Sequence, residues 1–407
     1  MSSHRTEEHH PEKEGPVAVD VSALRGHLQE QEGAMLRLLR ELVAIESPSD
    51  VPAAQHAVFE RLAETLEPVG YTCSRWPGAE TGGQLFARPA RRSRGQPVQL
   101  LLGHADTVWP EGTLETMPIE TRDGRLHGPG VYDMKAGLVQ MVFAVRAMAQ
   151  LGWSPRVTPV LLVTSDEEIG SPESRPRIRR LARVAHRTLV AEPALGPEGK
   201  LKTARKGIGR FQVTVDGVAA HAGLDPEGGA SAIDELAHVI HTLHGMTRLD
   251  EGITLNVGVV EGGDRPNVIA PWARAQVDVR ARTQAQAEAL TDRLQQMTAT
   301  TPGVSLTVTG SFGRPPMERT PRNRQLWQLA RRAGRLLNLN LQEARAGGGS
   351  DGNETSLFSA TLDGLGPVGD GAHASHEHIQ IDRLVERCAL LTLLLMADPL
   401  PQPNGSS

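Results

Sequence analysis

Only two cysteines, Cys73 and Cys388, occur in the 407 residues, and they lie far apart in the chain. A disulfide framework is therefore excluded as a design, and two reduced, buried thiols are expected. No run of about 18 apolar residues is present, so no segment is long enough to cross a bilayer as a helix. The opening MSSHRTEEHHPEKEGP lacks the apolar stretch of a secretory signal, and a cytoplasmic location is the expectation. There is no basic excess either. A formal charge of −5 from 43 Lys and Arg against 48 Asp and Glu gives no field to hold nucleic acid or an anionic membrane, so neither is expected as a partner. No internal repeat is visible.

What is present is the composition of an ordinary globular protein, 39% hydrophobic and 22% charged. Its length exceeds what one small core serves, so two domains are expected. Residues 1–17 are polar, with His9 and His10 among Glu and Pro, and read as a disordered, solvated tail. Apolar spacing from Val21 to Val69 predicts two helices divided at Ser47-Pro48-Ser49. Strands are predicted over 71–76, 84–88, 98–102, 159–164 and 189–191, and helices over 134–150, 322–337 and 382–396. The five arginines between Ser174 and Val184 read as the solvated face of an amphipathic helix. Beyond Lys206 the pattern changes to alternating strands with two helices, in the order β-α-β-β-α-β. That order describes a ferredoxin-like unit, 207–317, inserted into a discontinuous α/β domain with a mixed sheet, 18–206 and 318–398, followed by a tail, 399–407.

The chemistry lies at the ends of the apolar runs. Val98–Leu102 delivers His104 and Asp106, and a Gly128-Pro129-Gly130 loop precedes Asp133. The 159–164 strand exits on Asp166-Glu167-Glu168, and the 189–191 strand ends on Glu192. Each residue alone has a plain structural role, such as a helix N-cap for Asp133. Together they place unpaired charges at buried strand ends, which a divalent cation would compensate. Two cations need a shared carboxylate with an imidazole and a carboxylate on each side. His104, Asp133, Glu168, Glu192 and His373 meet that count, with mixed N/O ligation suited to Zn²⁺ and compatible with Co²⁺ or Mn²⁺. Glu167 is then free to act as general base on a water whose pKa falls from 15.7 to about 7 on a metal. Asp106 is placed to accept the other ring N–H of His104.

The ordered motifs GHADTV (103–108), GPGVYDMKAG (128–137), TSDEEIGS (164–171), AEPA (191–194), AAHAG (219–223), RPNVIAP (265–271) and GAHASHE (371–377) resemble the M20 family of dinuclear zinc peptidases. Within it they are most similar to the glutamate carboxypeptidases. The resemblance spans about Leu24 to Met396. It implies that His104 and Glu192 serve different metals bridged by Asp133, with Glu168 and His373 completing the sites. His373 is preferred to His376 by its distance from Glu377. Glu167 matches the general base and Asp106 the imidazole-orienting aspartate. The resemblance also implies a homodimer through the inserted unit, in which His221 reaches the partner's site and polarises the scissile carbonyl. Asn267 and Arg280 match residues that hold the substrate's α-carboxylate, Arg314 matches a second carboxylate-side arginine, and Gly349 lies in a turn lining the substrate pocket.

The expected substrate is an N-acyl or peptidyl C-terminal amino acid, glutamate foremost. The chain departs from the pattern at Met134, where a second acid stands in the glutamate carboxypeptidases, at Ser350 for a threonine, and at His127 for a tyrosine. Two alternatives stay open: an N-acyl-amino-acid deacylase of the acetylornithine or succinyl-diaminopimelate type, and a non-catalytic binding protein of the same fold.

Overall fold

The computed structural model describes residues 19–401. The expected tail at 1–17, and residues 402–407 of the C-terminal one, lie outside the described residues. The helix Val21–Ala44 is capped by Asp20, whose carboxylate accepts the N–H groups of Ser22 and Ala23 at 3.0 Å each. Its stripe of Leu24, Leu28, Leu39, Leu42 and Val43 is fully buried. Pro52 opens the next helix, Pro52–Leu66, where a missing N–H costs nothing.

A six-stranded sheet follows, in the spatial order 71–76, 84–89, 158–164, 98–104, 185–190, 360–362. The first two strands run antiparallel and the last four are mutually parallel. Every residue of Thr158–Thr164 is buried, as befits a strand covered on both faces. Leu101, Leu161, Val163 and Leu189 face a large core with the helices Val21–Ala44, Ala136–Gln150 and Asp382–Met396. Leu100, Leu102, Val160, Leu162 and Val190 face the other side, with Ile178. Four parallel strands therefore empty onto one edge, and that edge carries the polar residues singled out above.

Ile178 belongs to the arginine-rich helix Arg175–Val184, which is less solvated than its sequence predicts. Arg175 and Arg179 lie 3.3 and 2.7 Å from the fully buried carboxylate of Glu354. Arg177 hydrogen-bonds Gln84 and lies over Trp76, and Arg183 lies over Phe358. The buried Glu354 needs cations, and this helix supplies them.

Residues 207–314 build a second sheet, all antiparallel, in the order 254–262, 272–281, 207–216, 305–314. In chain order that is 2-3-1-4, the ferredoxin-like arrangement. Its core, with the helices Ala232–His244 and Gln284–Gln295, is separate from the first.

A two-stranded parallel pair, Leu201–Arg205 with Glu343–Ala346, is absent from the sequence-based expectation. LKTAR has no apolar alternation to announce a strand. Short strands at 120–122, 125–127, 369–370 and 378–380 form another small sheet, each too brief to show a period.

Gly137 fixes how closely the helix Ala136–Gln150 approaches the strand end that carries Glu192. A Cβ at Gly137 would stand 2.0 Å from the Ala191 carbonyl oxygen. Gly137→Ala is expected to lower stability by about 1–3 kcal/mol and to weaken metal binding, read by chemical denaturation and metal titration.

Candidate metal centre and active site

Asp133 stands between two imidazoles. Its Oδ1 is 3.3 Å from His104 Nε2, and its Oδ2 is 3.6 Å from His373 Nε2. His104 Nε2 also lies 3.4 Å from Glu192 Oε1, and His373 Nε2 lies 3.2 Å from Glu168 Oε2. The result is two half-sites sharing Asp133, His104 with Glu192 and His373 with Glu168, so the expectation that His104 and Glu192 serve different metals is corrected: the two side chains meet at the same position. His104 Nε2, Asp133 Oδ1 and Glu168 Oε1 are buried without a hydrogen-bond partner. Buried polar atoms in a native fold are normally satisfied, so these converging donors fit cations. The ligand atoms of His104, Asp133 and Glu168, and those of His104, Glu167 and Glu192, each fall within 4.8 Å of one another.

The fold places each donor for a local reason. His104 ends a central strand. Asp133 lies in a wide turn, Val131–Lys135, where it and Met134 leave helical geometry before Ala136–Gln150 begins; the Asp133–Met134 peptide is cis. That turn is held by Glu377, whose carboxylate accepts the N–H groups of Gly130, Tyr132 and Asp133 at 2.9–3.0 Å and the Trp109 indole at 2.7 Å. Glu377 is thus an organising residue, although the sequence offers it only as a landmark for His373.

The Nδ1 of His104 meets the backbone carbonyl of Asp106 at 2.9 Å, with the Asp106 carboxylate at 3.5 Å. Sequence reasoning assigns that contact to the side chain. The carboxylate instead accepts from Ser49 Oγ (2.7 Å) and from the Glu167 and Glu168 N–H groups (3.2 and 3.1 Å). It aligns the segment bearing the base.

Residues 100–397 match the description of peptidase family M20/M25/M40. The chain belongs to this family. It is similar to carboxypeptidase G2 of Pseudomonas sp. (strain RS-16), at 28% identity over 90% of each chain. It is also 28% identical to the succinyl-diaminopimelate desuccinylase of Delftia acidovorans, across 85% of this chain and 93% of that one. The aminopeptidase PepT of Bacillus cereus shares the fold, with a TM-score of 0.74 at 22% identity, over 90% of this chain and 98% of that chain. The protein is a hydrolytic enzyme of the M20 family, built as a mixed α/β fold.

The acids around this M20 site favour the protonated form of its imidazoles. Burial lowers the His104 pKa, yet Asp106, Asp133 and Glu192 together hold it well above its ordinary value. His373 is pushed up to about 10 by Asp133 and Glu168. Burial would raise Asp133, but its bonds to His104 and His373 pull it well below the carboxylate range. Burial raises both Glu167 and Glu168. Cation binding would therefore displace protons from the imidazoles.

Two buried arginines frame the M20 site at the two crossings between the sheets. Arg205, just before the first crossing, binds Asp363 at 2.8 and 3.1 Å, Glu192 at 3.1 Å, and the carbonyls of Gly348 and Gly349 at 3.2 and 3.0 Å. Arg314, at the second, lies 2.8 Å from Glu167 Oε1 and 3.0 Å from Asp351, and also donates to the Glu167 carbonyl and Ser171. Sequence reasoning missed Arg205, because its partner Asp363 is 158 residues away. Arg314 was expected to meet substrate carboxylate; in this structure its guanidinium is engaged by the protein itself. Arg314→Met would leave Glu167 and Asp351 as unpaired buried carboxylates. It is expected to cost about 3–5 kcal/mol, measured by denaturant unfolding, and to lower kcat more than it changes KM.

The other expected residues divide. Gly349 lines the cavity of this site, where an added Cβ would stand 2.8 Å from Ile208 Cδ1 and 3.0 Å from Arg314 Cδ. His221 and Asn267 lie together on exposed loops of the second unit, joined by the Ala222 N–H to the Asn267 carbonyl. Arg280 forms a two-point pair with Asp278, at 2.6 and 2.9 Å. Among the described residues none of these three hydrogen-bonds or ion-pairs with the clustered donors.

Proposed function

We propose that this M20 hydrolase holds two zinc ions around Asp133 and cleaves the amide joining an acyl or aminoacyl group to a C-terminal amino acid, glutamate foremost. The observation that carries the reading is the shared carboxylate with a matched imidazole and carboxylate on either side and Glu167 beside them. Zinc bound there would supply Lewis acidity, polarising a carbonyl and acidifying water. Glu167, raised by burial and steadied by Arg314, takes a proton from the attacking water and returns it to the departing nitrogen. Asp106 fixes the segment on which Glu167 rides. Asn267 and Arg280 are assigned to the substrate's α-carboxylate.

Among the described residues His221 and Asn267 make no hydrogen bond or ion pair with their own chain's metal-site side chains, which supports a homodimer in which they serve the partner. The strand Thr254–Gly262 is one of the two edges of its sheet and exposes Val259 and Val260, with Ile233 exposed on the neighbouring helix. Such an edge invites pairing with a second copy. Cys73 and Cys388 are both free thiols, Cys388 buried as expected and Cys73 only half-buried, in keeping with a reducing, cytoplasmic setting, and among the described residues no helix is long and apolar enough to cross a membrane.

The test is the turnover of zinc-loaded protein on N-acyl amino acids that differ only in the C-terminal side chain. A marked preference for glutamate is expected. Equal turnover across the panel, joined to discrimination in a second panel that varies only the acyl group, would favour the deacylase reading, which the similarity to a succinyl-diaminopimelate desuccinylase also supports.

A further inference from the structure

Lys202 is a buried lysine facing the metal-site cavity without a partner. It is 7% exposed, and among the described residues its ammonium has no hydrogen bond or ion pair. It lines a cavity of about 700 Å³ that also contains Asp133, Glu192 and His373. Buried ammonium groups are costly unless paired, so a lysine left open toward a site calls for an anion.

Local structure aims it there. In the parallel pair of Leu201–Arg205 with Glu343–Ala346, Ala344 is paired with Lys202 and Ala346 with Arg205, while Thr203 has no partner. That bulge puts Lys202 and Arg205 on one face, although three positions apart. Gly364 leaves room for the lysine stem: a Cβ there would stand 3.1 Å from Lys202 Cγ. The nearest acids are already engaged. Asp363 is occupied by Arg205, Ser350 Oγ (2.5 Å) and the Gly364 N–H, and Glu192 by Arg205. Burial, followed by Arg205, lowers the Lys202 pKa, while Asp363, Glu192 and Asp133 support its charge. Arg125, His376, His378 and Asp370 line the same cavity.

We propose that Lys202 is a specificity residue that binds a carboxylate carried by the substrate beside the scissile amide. This rests on the amide-hydrolase reading and narrows it to acidic substrates. The carboxylate can belong to a dicarboxylic acyl group or to the side chain of the C-terminal residue.

Four substrates separate these sources: N-succinyl-glutamate, N-butyryl-glutamate, N-succinyl-norvaline and N-butyryl-norvaline. Each exchange replaces one carboxylate by a methyl group. In zinc-loaded wild-type protein one exchange should lower kcat/KM, and in Lys202→Met that ratio should shrink by about 10- to 100-fold. Collapse of the succinyl-to-butyryl ratio assigns the acyl carboxylate, and collapse of the glutamate-to-norvaline ratio assigns the side chain. Lys202→Arg should keep more of the preference than methionine does, and metal content and melting temperature verify an intact site. Ratios within twofold of wild type in Lys202→Met would overturn the proposal. If wild-type protein cleaves none of the four, the amide-hydrolase reading fails by itself. Calorimetric binding of succinate against butyrate, and of glutamate against norvaline, then decides on Lys202 by the same ratios, with unchanged ratios again overturning it.

Discussion

Glu167→Ala is expected to lower kcat by on the order of a thousandfold while the protein keeps its metal. Glu167 is not needed to complete either half-site, since His104, Asp133 and Glu192 surround one position and His373, Asp133 and Glu168 the other. Its carboxylate is instead held by Arg314 at 2.8 Å, at the margin of the His104–Glu192 pair. Removing it takes away a proton acceptor and leaves Arg314 with Asp351. The variant should therefore show normal metal content, a near-normal KM and a collapsed kcat. Metal analysis beside steady-state kinetics checks this, and full turnover in the variant would remove Glu167 from the base role.

Asp133→Ala should do the opposite, abolishing activity by emptying the site. Loss of residues that only orient metal ligands costs about 10–100-fold in affinity, and Asp133 is proposed as a ligand shared by both half-sites, so a loss beyond that range is expected at each. His373→Ala is the matched control. It removes a donor from the Glu168 side alone and should leave one cation bound near His104 and Glu192. Titration with zinc, read as stoichiometry, separates the two variants. Two cations held at wild-type affinity in Asp133→Ala would exclude a bridging role.

The main sheet was legible because its parallel strands are covered on both faces, so their apolar runs end abruptly at polar residues. That same abruptness made His104, Asp133, Glu168 and Glu192 visible as a set. Charged partners were less visible. Arg205 sits in a strand whose letters resemble a surface loop, and its meaning comes from Asp363 across the fold. Glu377 acts through backbone N–H groups, which carry no residue identity. The Asp106 carbonyl, in place of its carboxylate, orients His104 for the same reason. His221, Asn267 and Arg280 could be picked out only by resemblance, since nothing around them within one chain identifies a task.

The chain passes between the two sheets twice, and at each passage a guanidinium is anchored to an acid of the hydrolytic centre, Arg205 to Glu192 and Arg314 to Glu167. The outer sheet is therefore not hung on slack cord. Any tilt that pulls on these passages would bear on the two acids together, so the orientation of the outer sheet and the setting of the reactive groups are mechanically joined.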